Sequence, residues 1–131
     1  MDYKKILSKK NQNIQEIAIS LKQKYLNTDP FPHIQLDNFF EENFLNSVLN
    51  DFPDLSNLKN SQNYQNINEI KFANNDHKNF PDKIKLFFNF LNSGIFLKFL
   101  QDITSINEKL VSDPELNGGG LHEIKSGGLL K

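Results

Sequence analysis

Three histidines, His33, His77 and His122, are the side chains of this 131-residue chain best suited to hold a metal or move a proton near neutral pH. They fall about 44 residues apart, and none belongs to a His-x-Asp, His-x-x-x-His or Glu-x-x-His pair that would put two ligands on one element. No metal site is assembled locally. His33 is expected to be structural, ahead of a strand, and His77, within Asn74-Asn75-Asp76-His77-Lys78, to lie in a solvated loop. His122 reads as a strand histidine hydrogen-bonded to backbone. Gly118-Gly119-Gly120 lacks the Lys-Ser/Thr pair of a phosphate-binding P-loop and precedes a strand where a dinucleotide site needs a helix, so it reads as a turn that lets backbone approach another strand. No Ser stands in a Gly-x-Ser-x-Gly elbow, and Asp113 and Glu115 flank Pro114 as turn residues do, which argues against a nucleophilic triad and against a glycosidase-like acid pair.

Composition narrows the chemistry further. Fifteen basic residues, every one a lysine, against sixteen acidic ones give a net charge of -1, which disfavours a general electrostatic nucleic-acid binder. There is no cysteine, hence no disulfide, thiolate zinc site or cysteine nucleophile. The most apolar stretch, from Ile84 to Leu100, is broken by Lys85, Asn89, Asn92 and Lys98, so no membrane span is expected. The start of the chain lacks the apolar core of a signal peptide. These features together predict a cytoplasmic domain, and the mixture of helices and strands along the chain makes it α+β.

The elements that must position these residues follow from spacing. Ile6, Ile14, Ile17, Leu21 and Tyr25 make one helical stripe that ends near Asn27. Asp29-Pro30-Phe31-Pro32 breaks it, and His33-Ile34-Gln35-Leu36 alternates as a short strand. Asp37-Asn38 offers an N-cap for a helix carrying Phe44, Leu45, Val48, Leu49 and Phe52 up to Pro53. Residues 54–65 are polar and irregular, and a strand is expected over 67–73. Pro81 suits the first position of a helix bearing Ile84, Phe87, Phe88 and Leu91. Ser93 caps another with Phe96, Leu97, Leu100 and Ile103, followed by a helical turn over 106–110. Residues 121–125 alternate as a strand, Ser126-Gly127-Gly128 turns, and Leu129-Leu130-Lys131 begins a return strand. A strand that stops after about three residues predicts the front portion of a longer protein.

The run Phe90-Leu91-Asn92-Ser93, Phe96-Leu97-Lys98-Phe99-Leu100, Ile103-Thr104-Ser105-Ile106, Leu110 through Leu116, Gly118-Gly119-Gly120-Leu121-His122-Glu123-Ile124 and Gly127-Gly128-Leu129-Leu130-Lys131 resembles the 2-oxoglutarate- and Fe(II)-dependent oxygenases of the prolyl 4-hydroxylase-like group. Pro30-Phe31-Pro32-His33-Ile34 with Asp37-Asn38-Phe39-Phe40 is similar to their opening strand. The resemblance covers about residues 30–131. It implies N-terminal helices packed on the first strands of a truncated double-stranded β-helix (jelly roll), in one incomplete domain over 1–131. Its parts would be an N-terminal helix over 1–28, mixed strand and helices over 29–116, and the start of the core β-helix over 117–131.

In that family the Gly-Gly-x-Leu strand leads into a His-x-Asp motif which, with a distant His, holds iron. The resemblance therefore implies that the iron ligands lie beyond Lys131, with no metal ligand or catalytic residue in this chain. Laying the Gly of the family's Tyr-x-x-Gly-x-x-Tyr-x-x-His on Gly127 puts Ile124 and Leu130 at the two Tyr positions, and neither has the hydroxyl that would bind 2-oxoglutarate. His122, two residues before Ile124, falls on the same strand face and would give a polar group to the pocket wall. The implied cofactors of the full-length enzyme are Fe(II), 2-oxoglutarate and ascorbate, and its partner a protein or small-molecule substrate. The alternative is a complete small α+β interaction module that binds a partner by strand addition at Leu129 to Lys131.

Overall fold

The first strong helix starts later than its apolar stripe. In the computed structural model, which describes residues 3–66 and 69–128, α1 runs over Ile14–Leu26, and the chain before it makes only 3-10 turns at Tyr3–Lys5 and Lys9–Asn11. Ile6 and Leu7 are fully buried, but their backbone is engaged elsewhere: Ser8 N–H donates to Phe39 O, Glu41 N–H donates to Ile6 O, and Leu7 bridges Phe40. Asn11 then donates through Nδ2 to Ser8 Oγ and to the carbonyls of Asn38 and Phe39. Short polar side chains that bond to nearby backbone compete with a helix, so the helix expected from Ile6 is displaced to Ile14.

The expected strand over 33–36 is absent, because a strand needs a ladder and the only backbone pairing in this stretch is the single bridge at Phe40. Ile34 and Leu36 pack, half-buried, against the core. α2 spans Glu42–Asn50, and its capping carboxylate is that of Glu41, which accepts from Phe44 N–H at 2.8 Å. The cap expected at Asp37-Asn38 lies too early, and Asn38 instead adopts a left-handed turn conformation. α3 spans Asp82–Leu91, one residue after Pro81, whose carbonyl accepts from Lys85 N–H. α4, Gly94–Thr104, has the expected Ser93 cap, with Oγ accepting from Phe96 N–H. Ser105 ends α4 in the left-handed conformation and Leu110 N–H turns back to Gln101 Oε1, so residues 106–110 form no helical turn.

Three strands, β1 (Gln62–Asn66), β2 (Glu69–Asn74) and β3 (Leu121–Ile124), form one antiparallel sheet in the order β1-β2-β3. The chain is thus α+β. β2 covers 69–73 of the strand expected over 67–73, residues 67 and 68 lying outside the described residues, whereas β1 falls in a stretch read as irregular. The return strand expected at Leu129 to Lys131 lies outside the described residues.

Two units divide the chain, and each has its own interior. The first comprises described residues up to Asn50 together with Leu86–Ser112. Its core gathers Ile6, Leu7, Ile14, Ala18, Phe39, Phe44, Phe90, Phe99 and Ile103, with α1 packed on α4. Aromatic rings fill much of it: Phe40 meets Phe87 edge-on at 5.1 Å and Phe39 stacks on Phe99 at 5.4 Å. The second comprises Asp51–Lys85 with the residues from Asp113 on, and carries the sheet. Its buried apolar side chains are Leu55, Phe80, Ile84, Leu116 and Leu121. Among the described residues no helix is long and apolar enough to cross a membrane.

Candidate functional site

Alternation along the sheet separates two chemically different faces. One is covered. Leu121 is buried, Ile70, Phe72 and Glu123 are half-buried, and Glu123 Oε2 accepts from Leu55 N–H at 2.9 Å. Lys125 lies over the Phe72 ring and bonds Glu123 at 2.6 Å and Asp54 at 2.9 Å, tying the 53–57 turn to the end of β3.

This ion cluster sets the local response to pH. The Asp54 carboxylate is held down from an ordinary 3.8 to about 2, first by the Ser56 hydroxyl at 2.5 Å and then by Lys125. Lys125 is in turn raised, first by Glu123 and then by Asp54. The Asp54 contribution is therefore complete above the unfolded-state value of about 3.9 and lost as pH falls through about 2. The Lys125 contribution is complete below its ordinary value and lost only as alkali takes pH above the raised one. A carbon-13 titration of the Asp54 carboxyl is expected to give a midpoint near 2. Ser56→Ala and Lys125→Ala should each move that midpoint upward, and an unmoved midpoint in both variants would show that the cluster does not hold the carboxylate.

The opposite face is open and polar. The register pairs Gln62 with Ala73, Tyr64 with Lys71, Ala73 with His122 and Lys71 with Ile124, so Gln62, Tyr64, Lys71, His122 and Ile124 share this face. His122 is exposed and Ile124 is 45% exposed. The Tyr64 hydroxyl donates to Gln62 Oε1, and Lys71 Nζ stands 5.6 Å from the Tyr64 ring centre. Beside them Gln62, Tyr64, Asn74, Gly120 and His122 help line a hollow of about 120 Å³, room for about four waters or one small carboxylate at ~30 Å³ per water. Phenol, ammonium, imidazole and carboxamide on one face supply donors for an anionic or hydrogen-bonding ligand.

The structure places the sequence-predicted residues as follows. His122 and Ile124 come together on the open face, and Leu130 lies outside the described residues. His122 makes no hydrogen bond with the described residues, unlike the backbone-bonded histidine expected. The reason is its outward orientation on an uncovered face. His33 caps itself locally, Nδ1 lying 2.8 Å from Phe31 O. His77 is not in a solvated loop: it belongs to a 3-10 turn, half-buried, with its ring 5.9 Å from Phe80. The glycines behave as a close-approach turn at Gly120, whose Cα lies against the backbone of Asn74. The Asn117 and Gly118 N–H groups, which a phosphate would need, are taken by the Asp113 carboxylate at 3.0 and 2.8 Å. Those two bonds, Gly118 first, also lower the Asp113 pKa.

Tyr64, Lys71 and Gln62 escaped the sequence reading because β1 has no apolar alternation. The period-two placement of Gln62 and Tyr64 opposite Ala73 and Lys71 was the available signal. A second concavity, in the first unit, has a volume of about 670 Å³ and is lined by Tyr25, Ile34, Leu36, Phe40, Phe96 and Leu100 among others. Its lining is mostly apolar with Asn38, Glu42 and Thr104 among it, which suits an apolar ligand, whereas the open sheet face carries His122 and Ile124, the residues the sequence singles out. Among the described residues no group of three or more His, Asp or Glu is placed to hold a metal ion. No protein-family model, curated protein or solved structure matches the chain.

Proposed function

We propose that this chain is the N-terminal part of a cytoplasmic 2-oxoglutarate- and Fe(II)-dependent oxygenase of the prolyl 4-hydroxylase-like group, its sheet supplying the first strands of a double-stranded β-helix. The motif run from Phe90 onward supports the reading. The observation that carries it furthest is that His122 and Ile124 share the open face of β3, immediately before a turn closed by Gly128 N–H on Lys125 O. Gly127, the residue laid on the motif's glycine, has a φ of 81°, a conformation that favours glycine.

The described residues do not fit the iron: no metal-holding cluster is present among them, and no catalytic step is derived from them. On this reading the two histidines and the carboxylate follow Lys131, and this chain contributes a wall of the pocket, with His122 as its polar group. Fe(II), 2-oxoglutarate and ascorbate then belong to the full-length enzyme, and its substrate is a protein or a small molecule. The bulk of Ile124, where relatives place a phenol, gives the near wall an apolar lining.

Two measurements test this. The gene's reading frame past Lys131 is expected to encode a His-x-Asp within a few residues, and a stop codon or a continuation without that pair overturns the proposal. Thermal unfolding of the chain over 1–131 is expected to be unchanged by Mn(II) with 2-oxoglutarate. A midpoint raised by the two together, but by neither alone, would place the ligands within this chain and contradict the assignment.

A further inference from the structure

Among the described residues β1 is an edge strand, all five of its residues are exposed, and its sequence is Gln62-Asn63-Tyr64-Gln65-Asn66. Edge strands are normally guarded against pairing with another chain by lysine, proline or a bulge. β1 has no lysine and no proline, and its register with β2 runs without a bulge. We propose that β1 pairs antiparallel with β1 of a second copy of this chain, about a two-fold axis through Tyr64, to make a continuous six-stranded sheet. The inference is independent of the oxygenase reading.

The strand's own sequence selects this occupant. Turned end for end, it sets Gln62 opposite Asn66, Asn63 opposite Gln65 and Tyr64 opposite Tyr64, so each pair off the axis joins two carboxamides and the axis joins two rings. A carboxamide both donates and accepts, so every such pair is self-complementary, as an isologous interface requires. Sliding the register by two residues leaves only three residues of each strand opposed and moves the rings apart.

Charge does not oppose this pairing. The segment from Ser61 to Asn66 is uncharged, so two copies meet without like-charge repulsion. Lys71 already lies over the Tyr64 ring, and the axis generates the row Lys71, Tyr64, Tyr64, Lys71 on one face, two rings between two cations. Three strand spacings of ~4.8 Å separate the two lysine strands by ~14 Å, beyond the screening length of about 8 Å at physiological salt.

The absence of cysteine makes the register directly readable. Residues facing each other across an antiparallel pair have Cα atoms ~4.5–5.5 Å apart, within the range that a disulfide spans. Under mild oxidation Tyr64→Cys is expected to form a covalent dimer. Gln62→Cys is expected to form none, its own counterpart lying about 13 Å along the strand. Gln62→Cys combined with Asn66→Cys should crosslink again.

Sedimentation of the unmodified chain should show its mass doubling with concentration, and Tyr64→Lys should abolish that doubling. Equal crosslinking at positions 62 and 64, a dimer that survives Tyr64→Lys, or an unmodified chain that stays monomeric at millimolar concentration overturns the proposal. The last result would leave this edge to an extended segment of another protein.

Discussion

Phe90→Ala is expected to lower the unfolding free energy by about 3–5 kcal/mol. Phe90 has no exposed surface, and its ring meets Tyr3 at 5.1 Å, Phe96 at 5.2 Å and Phe40 at 6.3 Å. These neighbours come from the N-terminal turn, α4 and the segment before α2, so the ring is a common contact of three separate stretches of the first unit. Truncation removes its transfer free energy and leaves a void that other large rings, held by their own edge-on contacts, cannot collapse into. Against a domain's usual total of about 5–15 kcal/mol, such a loss is a large share. Urea unfolding is the measurement: the midpoint should fall sharply with little change in slope. Leu49→Ala serves as the control, since Leu49 is 70% exposed and its removal should cost no more than about 0.5 kcal/mol. Equal effects of the two substitutions would show that Phe90 is not the centre of this core.

Ile84 and Ile103 were legible as buried residues because α3 and α4 carry apolar residues at helical spacing and Ser93 announces the start of α4, whereas Phe90 and Phe99, buried on the same two helices, fall outside the stripes that spacing picks out. Periodicity misled where backbone hydrogen bonds outweighed it. Ile6 lies on the same stripe as Ile14 and is buried as a stripe residue should be, yet it reaches the interior from a bridge to the segment before α2 and not from a helix. That partner is more than 30 residues away in sequence, and no local pattern encodes it. β1 shows the reverse failure: an edge strand exposed on every residue has no buried face, and the apolar alternation by which strands are recognised reports only burial.

The candidate site was legible in part for the same reason. β3 buries Leu121 and half-buries Glu123, so its alternation is visible in sequence and puts His122 and Ile124 together on the other face. Tyr64 and Lys71 join that face only through the β1–β2 register, which a polar strand does not reveal. The polar face also bears on what the sheet is for. A three-stranded sheet covered on one side keeps its other side wet unless further chain packs on it. Tyr64, Lys71, His122 and Gln62 suit a wall facing water or a polar ligand, and they suit a packed core poorly. The proposed pocket wall draws on His122 and Ile124 of β3 and the proposed edge pairing on β1, at the other end of the strand order, so neither excludes the other.

Gly120→Ala is expected to destabilise the second unit by at least about 2 kcal/mol and to disturb the open face directly. A Cβ on Gly120 would stand 2.5 Å from Asn74 O, with Asn74 C and Asn75 Cα at 3.2 Å. The obstacle is backbone, and it is fixed. Asn74 is 2% exposed, its Nδ2 donates to Lys59 O and Ser61 Oγ, and its Oδ1 accepts from Asp76 N–H. Gly120 also has a φ of 148°, which L side chains rarely adopt. Overpacking at ~1–3 kcal/mol adds to backbone strain of ~1–3 kcal/mol. Relief requires moving the start of β3 away from the end of β2. The pairs Asn74 with Leu121 and Ala73 with His122 should therefore open first, seen as faster amide exchange at these positions and slower loss of protection toward Lys71 and Ile124. Gly119→Ala is the matched control, because nothing lies within 4 Å of its added methyl. If Gly119→Ala and Gly120→Ala proved equally stable, the close approach at Asn74 would not be what seats His122 on this face. Loss confined to Gly120→Ala, with protection failing from the Asn74 end, would tie the position of His122 to one glycine that the sequence shows only as the last of three.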